Sequence, residues 1–311
     1  MDNDNNLVYD FLVIGGGVAA FSAAMYAGRF NLKTLVIGEA LGGTIILTDV
    51  VENYPGFISL TGLELANKIE EHARVYPNVT VENERVSEVQ KIDEKPIYQV
   101  KTSTGKTFKS KTILFATGTE WKKLNVPGEK EFTNRGVHYC ALCDGAFYKE
   151  KNIAVVGGSD SAAKEALVLT QWAKNVFIIY RGDKIHPEPV NQIKVEQNKK
   201  ITIINHNNIV QILGEKKVNK VILEKPYNGS NEFAVDAIFV EIGHKPLSEL
   251  AVKLGVNVDA KGEILIDRSA RTNIKGIYAA GDVSDTEFKQ AITGVAEGVH
   301  AAYSAYIDLG N

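Results

Sequence analysis

The chain has 311 residues, of which 44% are hydrophobic and 23% charged, and its formal net charge is −3. These are globular values with room for one large domain or two ordinary ones, and they exclude a disordered or fibrous chain. The mildly acidic balance argues against binding nucleic acid or anionic membrane, and no apolar run reaches the roughly 18–20 residues that a membrane-spanning helix needs.

The polar, acidic start Met1-Asp2-Asn3-Asp4-Asn5-Asn6 lacks the pattern of a secretory signal, so a soluble cytoplasmic protein is expected. An apolar strand over 7–14 runs into Gly15-Gly16-Gly17-Val18-Ala19-Ala20, and a helix over about 21–30 and a strand over 34–37 follow. Strand, glycine turn, helix and strand make a βαβ unit. The spacing Gly15-x-Gly17-x-x-Ala20 has mechanical reasons. The first glycine permits the tight turn, the second lets a pyrophosphate approach the backbone, and the small third residue lets helix and strand pack closely. Glu39, just past the second strand, could hold a ribose hydroxyl pair or could simply be solvated.

Short alternating segments at 86–92, 97–102 and 106–108 read as a small antiparallel sheet inserted in this first domain. A strand over 112–115 then ends in Ala116-Thr117-Gly118, where the chain can leave that domain. Next comes His138-Tyr139-Cys140-Ala141-Leu142-Cys143-Asp144-Gly145, which holds both cysteines of the protein. A secreted disulfide scaffold would carry more of them, and a four-cysteine zinc site is impossible with two. Two intervening residues let the sulfurs reach bonding distance where a turn enters a helix, and a helix start favours the nucleophilic thiolate. Cys140 and Cys143 therefore read as a redox pair. Asp144 is placed to exchange a proton with it, or alternatively to cap a helix. His138 reads as a structural hydrogen-bonder.

The βαβ pattern then recurs: a strand over 153–156, Gly157-Gly158-Ser159-Asp160-Ser161-Ala162, a helix to about 172, and a strand over 176–180. Ser159 stands where the second glycine belongs, and its small hydroxyl could donate to a phosphate. No carboxylate ends the following strand; Tyr180-Arg181-Gly182-Asp183-Lys184 instead offers Arg181 and Lys184 to a 2′-phosphate, with Asp183 opposing them. NADPH and NADH both stay open. Strands over 209–213, 218–223 and 234–242 lead to Gly243-His244-Lys245-Pro246. From Gly276 a last strand, 277–280, precedes Gly281-Asp282 and a helix to the end, which returns to the first domain. The expected fold is α/β, with two Rossmann-like three-layer dinucleotide-binding domains. The second is inserted in the first, and each has a small antiparallel β-meander. The expected bounds are 1–118 with 245–311, and 119–244.

Taken together, these stretches, with Gly42-Gly43, Val51-Glu52-Asn53-Tyr54-Pro55-Gly56, Ala279-Ala280-Gly281-Asp282 and Lys289-Gln290-Ala291, resemble the low-molecular-weight thioredoxin reductases over nearly the whole chain. The resemblance implies an electron relay from NADPH or NADH to FAD, to Cys140–Cys143, and on to the disulfide of a thioredoxin-like protein. It implies a homodimer whose nicotinamide domain swings on linkers near Thr119–Glu120 and Gly243–Lys245. Cys143 would face the flavin, Cys140 would attack the partner, and Asp144 would be the general acid. FAD would lie on Gly15, Gly17 and Ala20, with Asn53 near the isoalloxazine and Gly281-Asp282 at the pyrophosphate and ribityl chain. Lys289, Gln290 and Ala291 would approach the ring system, and Glu39, Gly42, Gly43, Thr44, Val86, Ala116, Thr117 and Gly118 would complete the site. The nicotinamide cofactor would lie on Gly157, Ser159, Asp160, Ser161, Ala162, Tyr180, Arg181 and Lys184. Thr44 replaces the family's usual Gln, and the arginine cluster for the 2′-phosphate is reduced to Arg181. Ala146-Phe147, Arg135 and Lys68 occupy positions of partner docking. The alternatives are an FAD-dependent dithiol oxidase, a reductase with weak or no nicotinamide use, and a flavin-binding redox sensor.

Overall fold

The computed structural model describes residues 7–92 and 97–310; the start at 1–6, read above as no secretory signal, and the last residue of the C-terminal segment lie outside them. Described residues up to Glu120 and from Lys245 onward form one compact unit, and Trp121–His244 forms a second.

In the first unit β1 (Val8–Ile14) feeds the glycine turn and α1 (Val18–Arg29), then β2 (Thr34–Ile37), α2 (Gly62–Arg74) and β3 (Val79–Glu82). β4 (Val86–Lys91) and β5 (Tyr98–Thr102) are antiparallel and lead into β6 (Thr107–Phe115). The residues expected to make two strands, 106–108 and 112–115, form this single one. Its first half pairs antiparallel with β5, while β1 lies parallel along nearly its whole length. The meander is therefore continuous with the main sheet, because Ser110 and Lys111 keep extended backbone between the two apolar segments instead of turning. The helix starts at Val18, three residues before the expected position, because the glycine turn itself is its entry. A Thr61–Glu64 capping box starts α2, which the sequence reading passed over: Glu64 N–H donates to Thr61 Oγ1 at 3.1 Å and Thr61 N–H to Glu64 Oε2 at 2.8 Å.

The chain leaves through β7 (Thr119–Trp121). The second unit contains α3 (Glu129–Phe132), β8 (Val137–His138), α4 (Ala141–Asp144), β9 (Asn152–Val156), α5 (Asp160–Leu169), β10 (Asn175–Ile179), α6 (Pro189–Gln197) and β11 (Ile201–Ile204). Three antiparallel strands follow, β12 (Ile209–Gly214), β13 (Val218–Tyr227) and β14 (Ser230–Ala234), and then β15 (Ala237–Val240). The stretch expected as one strand, 234–242, is divided: Ala234 closes the meander, and β15 enters the parallel sheet beside β9. Helix α5 ends at Leu169, short of Trp172, and α6, with Pro189 in its first turn, fills the stretch before β11 that had no assigned element. The return runs through β16 (His244–Pro246), α7 (Glu249–Lys253), β17 (Ile277–Ala279) and α8 (Ala291–Asp308).

Each unit has three layers, and strand periodicity explains them. In the first, Phe11 and Val13 of β1 face α1, α2 and α8, whereas Leu12 and Ile14 face the meander and α7. In the second, Ile153 and Val155 of β9 face α5 and α6, and Ala154 and Val156 face β12 and β13. The parallel orders are β3-β2-β1-β6, with β17 also on β6, and β11-β10-β9-β15-β8. β1 and β9 are thus the strands where the order reverses, the position at which doubly wound sheets open a crevice for ligands. Among the described residues no helix is long and apolar enough to cross a membrane.

Helices α1 and α8 touch because their facing residues are small. Ser22 Oγ donates to Val295 O at 3.0 Å, and a Cβ at Gly298 would stand 2.3 Å from Ala19 O. Gly298→Ala should force the helices apart and cost about 1–3 kcal/mol, the usual price of overpacking a core. A lower thermal midpoint checks this; an unchanged midpoint would mean that the contact is not tight.

Candidate functional site

The first glycine turn is held open by backbone. Gly15 has φ +130°, and a Cβ on it would meet Ala116 O at 2.1 Å. Gly17 is the N-cap of α1 and brings no capping side chain, so the first amides of a twelve-residue helix stay available. Ala20 is fully buried against the sheet. Gly42 N–H donates to Gly16 O at 2.7 Å, and a Cβ on Gly43 would stand 2.8 Å from Gly17 Cα. A Cβ on Gly281 would lie 3.1 Å from Ala19 Cβ. Gly15, Gly17, Gly43 and Gly281 therefore meet around one helix start with no side chain between them, a cradle that fits a dinucleotide.

The remaining predicted residues of this unit take varied positions. Asn53 Nδ2 donates to Gln290 Oε1 at 2.9 Å, joining two residues 237 apart, and Ala291 opens α8 immediately after. Thr44 begins a 3₁₀ turn. Thr117 Oγ1 donates to Leu247 O at 2.7 Å and Gly118 O accepts from Leu247 N–H at 3.0 Å, fastening this segment to the returning chain. Lys289 Nζ donates to Asp282 O at 3.0 Å and to Ser284 O, and pairs with Glu263 at 3.4 Å, so its charge serves the 281–285 loop. Glu39 is exposed and 3.6 Å from Arg85, and Val86 is a core residue at the start of β4. Glu297, which the sequence reading missed, accepts from Gly281 N–H at 2.7 Å, from Ser284 Oγ at 3.1 Å and from Thr286. It shapes the loop around Asp282 from sixteen residues away, a separation at which no local motif marks it.

In the second unit Cys140 and Cys143 form a disulfide with Cα atoms 5.4 Å apart. Cys140 is the N-cap of α4, and its Sγ accepts the Cys143 N–H at 3.1 Å. Cys140 is 7% exposed, whereas Cys143 is an exposed residue. Glu129 anchors the approach to the pair: it accepts from the amides of Leu124 and Asn125, and from Tyr139 Oη at 2.9 Å. Burial, then Glu129, pushes the Tyr139 phenol well up. Asp144 makes no cap bond to the following turn. It faces His138 instead, with Oδ2 at 3.0 Å from Nδ1, though off the line of a well-aligned hydrogen bond. His138 Nε2 lies 2.7 Å from Tyr148 Oη, and its ring stacks on Phe239. Burial lowers the His138 pKa and outweighs Asp144, which works to raise it.

At the second turn Gly157 repeats the strain of Gly15, with φ +149° and a Cβ position 2.1 Å from Glu241 O. Ser159 caps α5 without a side-chain hydrogen bond. Asp160 is drawn aside, receiving Glu188 N–H at 2.9 Å, Asn191 Nδ2 at 2.8 Å and Lys164 at 2.7 Å. Burial works against its charge, but these donors prevail and hold its pKa low. Ser161 is exposed and Ala162 buried, and Tyr180 packs against Gly158, Gly182 and His186. Arg181 and Lys184 are exposed, and Asp183 lies 3.3 Å from His206 Nδ1 rather than on either of them. The bare turn and these two cations fit a phosphorylated nucleotide, with Tyr180 standing beside the turn.

Two further carboxyls went unnoticed in the sequence. Glu165 on α5 is half-buried and accepts the Ala141 N–H, and Glu241 after β15 is 5% exposed. Burial pushes Glu165 up to about 7, and burial together with the charge of Glu165 pushes Glu241 up to about 9. The folded unit then holds more protons than the unfolded chain from about pH 4.5 upward, so the stability these groups contribute is present below that pH and is lost as pH rises through their folded values. The double variant Glu165→Gln/Glu241→Gln should flatten the fall in thermal midpoint between pH 6 and pH 9 (roughly the window of those values). Parallel curves for variant and wild type would contradict the assignment.

With that geometry in place, comparisons with known proteins agree. The family described as pyridine nucleotide-disulphide oxidoreductase matches residues 9–298. A thioredoxin reductase of Bacillus subtilis is 40% identical over 300 residues, covering 96% of this chain and 93% of that protein. The crystal structure of Lactococcus lactis thioredoxin reductase matches with a TM-score of 0.91 at 37% identity, over 97% of this chain and 99% of that one. The crystal structure of T. acidophilum thioredoxin reductase matches with a TM-score of 0.90 at 32% identity, over the same shares, 97% and 99%. The cysteine pair, the two bare glycine turns and these likenesses converge: the chain belongs to the pyridine nucleotide-disulphide oxidoreductases and, within them, to the thioredoxin reductases.

Proposed function

We propose that this chain passes electrons from NAD(P)H through FAD to Cys140–Cys143 and from there to the disulfide of a thioredoxin-like protein. The observation that carries the reading is the closed Cys140–Cys143 pair on a unit whose central strand ends in its own dinucleotide-type turn. In this reading residues 1–118 and 245–311 hold FAD, and 119–244 hold the nicotinamide cofactor and the redox pair. The side-chain-free surface at Gly15, Gly17, Gly43 and Gly281 supports the first assignment. Ser159 at the start of α5, with Arg181 and Lys184, supports the second. Bound flavin supplies a two-electron relay between a nicotinamide hydride and a disulfide.

The chain's own sulfurs and carboxyl do the rest. Two electrons break the Cys140–Cys143 bond, leaving one sulfur as thiolate and the other protonated. Cys140 thiolate attacks one partner sulfur, the partner's S–S bond breaks, and its departing sulfur takes a proton that Asp144 supplies. Cys143 gives its proton to the carboxylate that Asp144 has become and attacks Cys140 as thiolate; the Cys140–partner bond breaks, the partner's second sulfur leaves and takes a proton from solvent, and the Cys140–Cys143 bond is restored. Cys140 is the more buried cysteine, so its attack requires the turn to be uncovered. Phe147, 80% exposed beside the pair, is available to a docking partner. The proposal includes a homodimer in the cytoplasm; sedimentation at the mass of a single chain would contradict the dimer.

Two measurements test the reading. Anaerobic NADPH or NADH should bleach the flavin band of the purified protein near about 450 nm. Bleaching by a small dithiol, with neither nucleotide effective, would establish the oxidase instead. Cys140→Ser should keep nucleotide-driven bleaching and lose at least about a hundredfold in transfer to thioredoxin, on the order of losing a nucleophile. Transfer that survives the change would assign the attack to Cys143, the exposed sulfur.

A further inference from the structure

Glu165 is the sixth residue of α5, the helix that follows the second glycine turn, and it reaches the C-x-x-C segment: its carboxyl accepts the amide proton of Ala141, the residue between Cys140 and Leu142. Glu241 is near enough to feel the charge of Glu165, and its backbone closes the second glycine turn, with its N–H on Val156 O at 2.8 Å and its carbonyl against Gly157. Among the described residues no basic side chain pairs with either carboxyl. The other charged groups on the packed elements are occupied or remote. Asp160 and Lys164 pair with each other on α5, Asp144 faces His138, and Lys194 and Glu196 on α6 are exposed. Tyr148 lies on the His138 side. Keeping two unpaired acids at such a place is costly, and an apolar residue would avoid that cost.

We propose that Glu165, backed by Glu241, is a positioning residue for the Cys140–Cys143 couple that sets how readily the reduced couple carries a thiolate. The inference rests on the reading of Cys140–Cys143 as the reacting pair. Opening the disulfide adds two electrons and cleaves the S–S bond. With Glu165 protonated, one proton from solvent goes to one sulfur and the other sulfur remains thiolate. With Glu165 ionised, its charge beside the thiolate is unfavourable, and the second sulfur takes a proton as well. The hydrogen bond to Ala141 holds the carboxyl in place in both states, so a titration at Glu165 is felt at the sulfurs. By reciprocity, a thiolate favours the protonated Glu165 by the same factor.

The test is the rate of alkylation by iodoacetamide of the chemically reduced protein, followed for each cysteine by mass spectrometry across pH. Glu165→Gln keeps an acceptor for the Ala141 amide and removes the charge. At pH 6 (roughly one unit below the titration of Glu165) variant and wild type should alkylate alike. At pH 8.5 the variant should be about tenfold faster, the effect of a shift of about one unit in a thiol pKa. Equal rates at both values, or an equal change at both, would overturn the inference, since a structural defect has no reason to follow the pH. Should Glu165→Gln fail to fold, Glu241→Gln serves: it removes the second ionisation, and its excess over wild type should appear only near pH 9.5 (about half a unit above that titration); no excess there overturns the inference. A disulfide that resists every reductant in the folded protein would defeat the functional reading itself, and the inference with it, and is recognised by the absence of any alkylation.

Discussion

A Cβ at Gly15 would stand 2.1 Å from the carbonyl oxygen of Ala116, and one at Gly157 would stand 2.1 Å from that of Glu241. The same steric condition is thus met twice, at the carboxyl end of a central parallel strand. In each case the chain must turn sharply from strand to helix while the carbonyl one residue past a neighbouring strand crowds the corner, and only glycine has no atom to collide there. The consequence is functional as well as structural. Because the corner is walled by backbone, each helix begins with amides that no capping side chain takes, at the point where the sheet opens. The two units differ in what else comes to the corner. The first brings three more glycines and a polar pair, Asn53 and Gln290. The second brings Tyr180, two exposed cations and a redox disulfide one helix away.

How legible each part was depends on the range over which it is encoded. The glycine turns, the C-x-x-C-D-G element and strands such as 34–37 are written in a few consecutive residues, and the reading from sequence identified them and their family. Strand boundaries were less visible where one strand serves two sheets' worth of neighbours. Residues 107–115 look like two segments because Lys109 and Lys111 interrupt the apolar pattern, yet the backbone is continuous since both edges of the strand are paired. The converse error at 234–242 has the converse cause. Val235 is buried and apolar like its neighbours, and nothing in the pattern shows that the chain changes sheet there. Glu297, Glu165 and Glu241 were invisible for another reason. Each acts on backbone or charge that lies far away in sequence, and a lone Glu reads as solvated until the fold shows what it faces.

The proposed nicotinamide site is one that spacing describes poorly. Residues chosen as a nucleotide set prove chemically divided. Ser159 remains free at the helix start, whereas Asp160 is committed to α6 through the Glu188 amide and Asn191. That commitment matters, because an uncompensated carboxylate in the first turn would oppose a pyrophosphate. Drawn toward Lys164 and away to α6, it does so less. Asp183, which seemed set to neutralise Arg181 and Lys184, lies against His206 and leaves those cations to the solvent. The local charge is therefore more favourable to a phosphorylated nucleotide than the order of residues suggested.

Around the disulfide, burial decides which group moves a proton. His138 is 4% exposed, its ring is held between Phe239 and Tyr148, and burial resists its protonation. A neutral imidazole has one N–H. With that hydrogen on Nδ1 the ring points a donor at Asp144, and Nε2 accepts from Tyr148 Oη; the opposite tautomer would set a lone pair against the carboxylate. The first arrangement avoids that repulsion and keeps the Tyr148 hydrogen bond, although the Nδ1–Oδ2 contact lies off the hydrogen-bond line. A ring fixed that way orients Asp144 without taking up charge of its own. In the proposed cycle the imidazole therefore positions and the carboxyl exchanges, while Glu165 holds the Ala141 amide. Two carboxyls thus meet the C-x-x-C segment in unlike surroundings, Asp144 against the His138 ring and Glu165 under the charge of a second acid, and in the proposed cycle that difference gives the two sulfurs unlike roles.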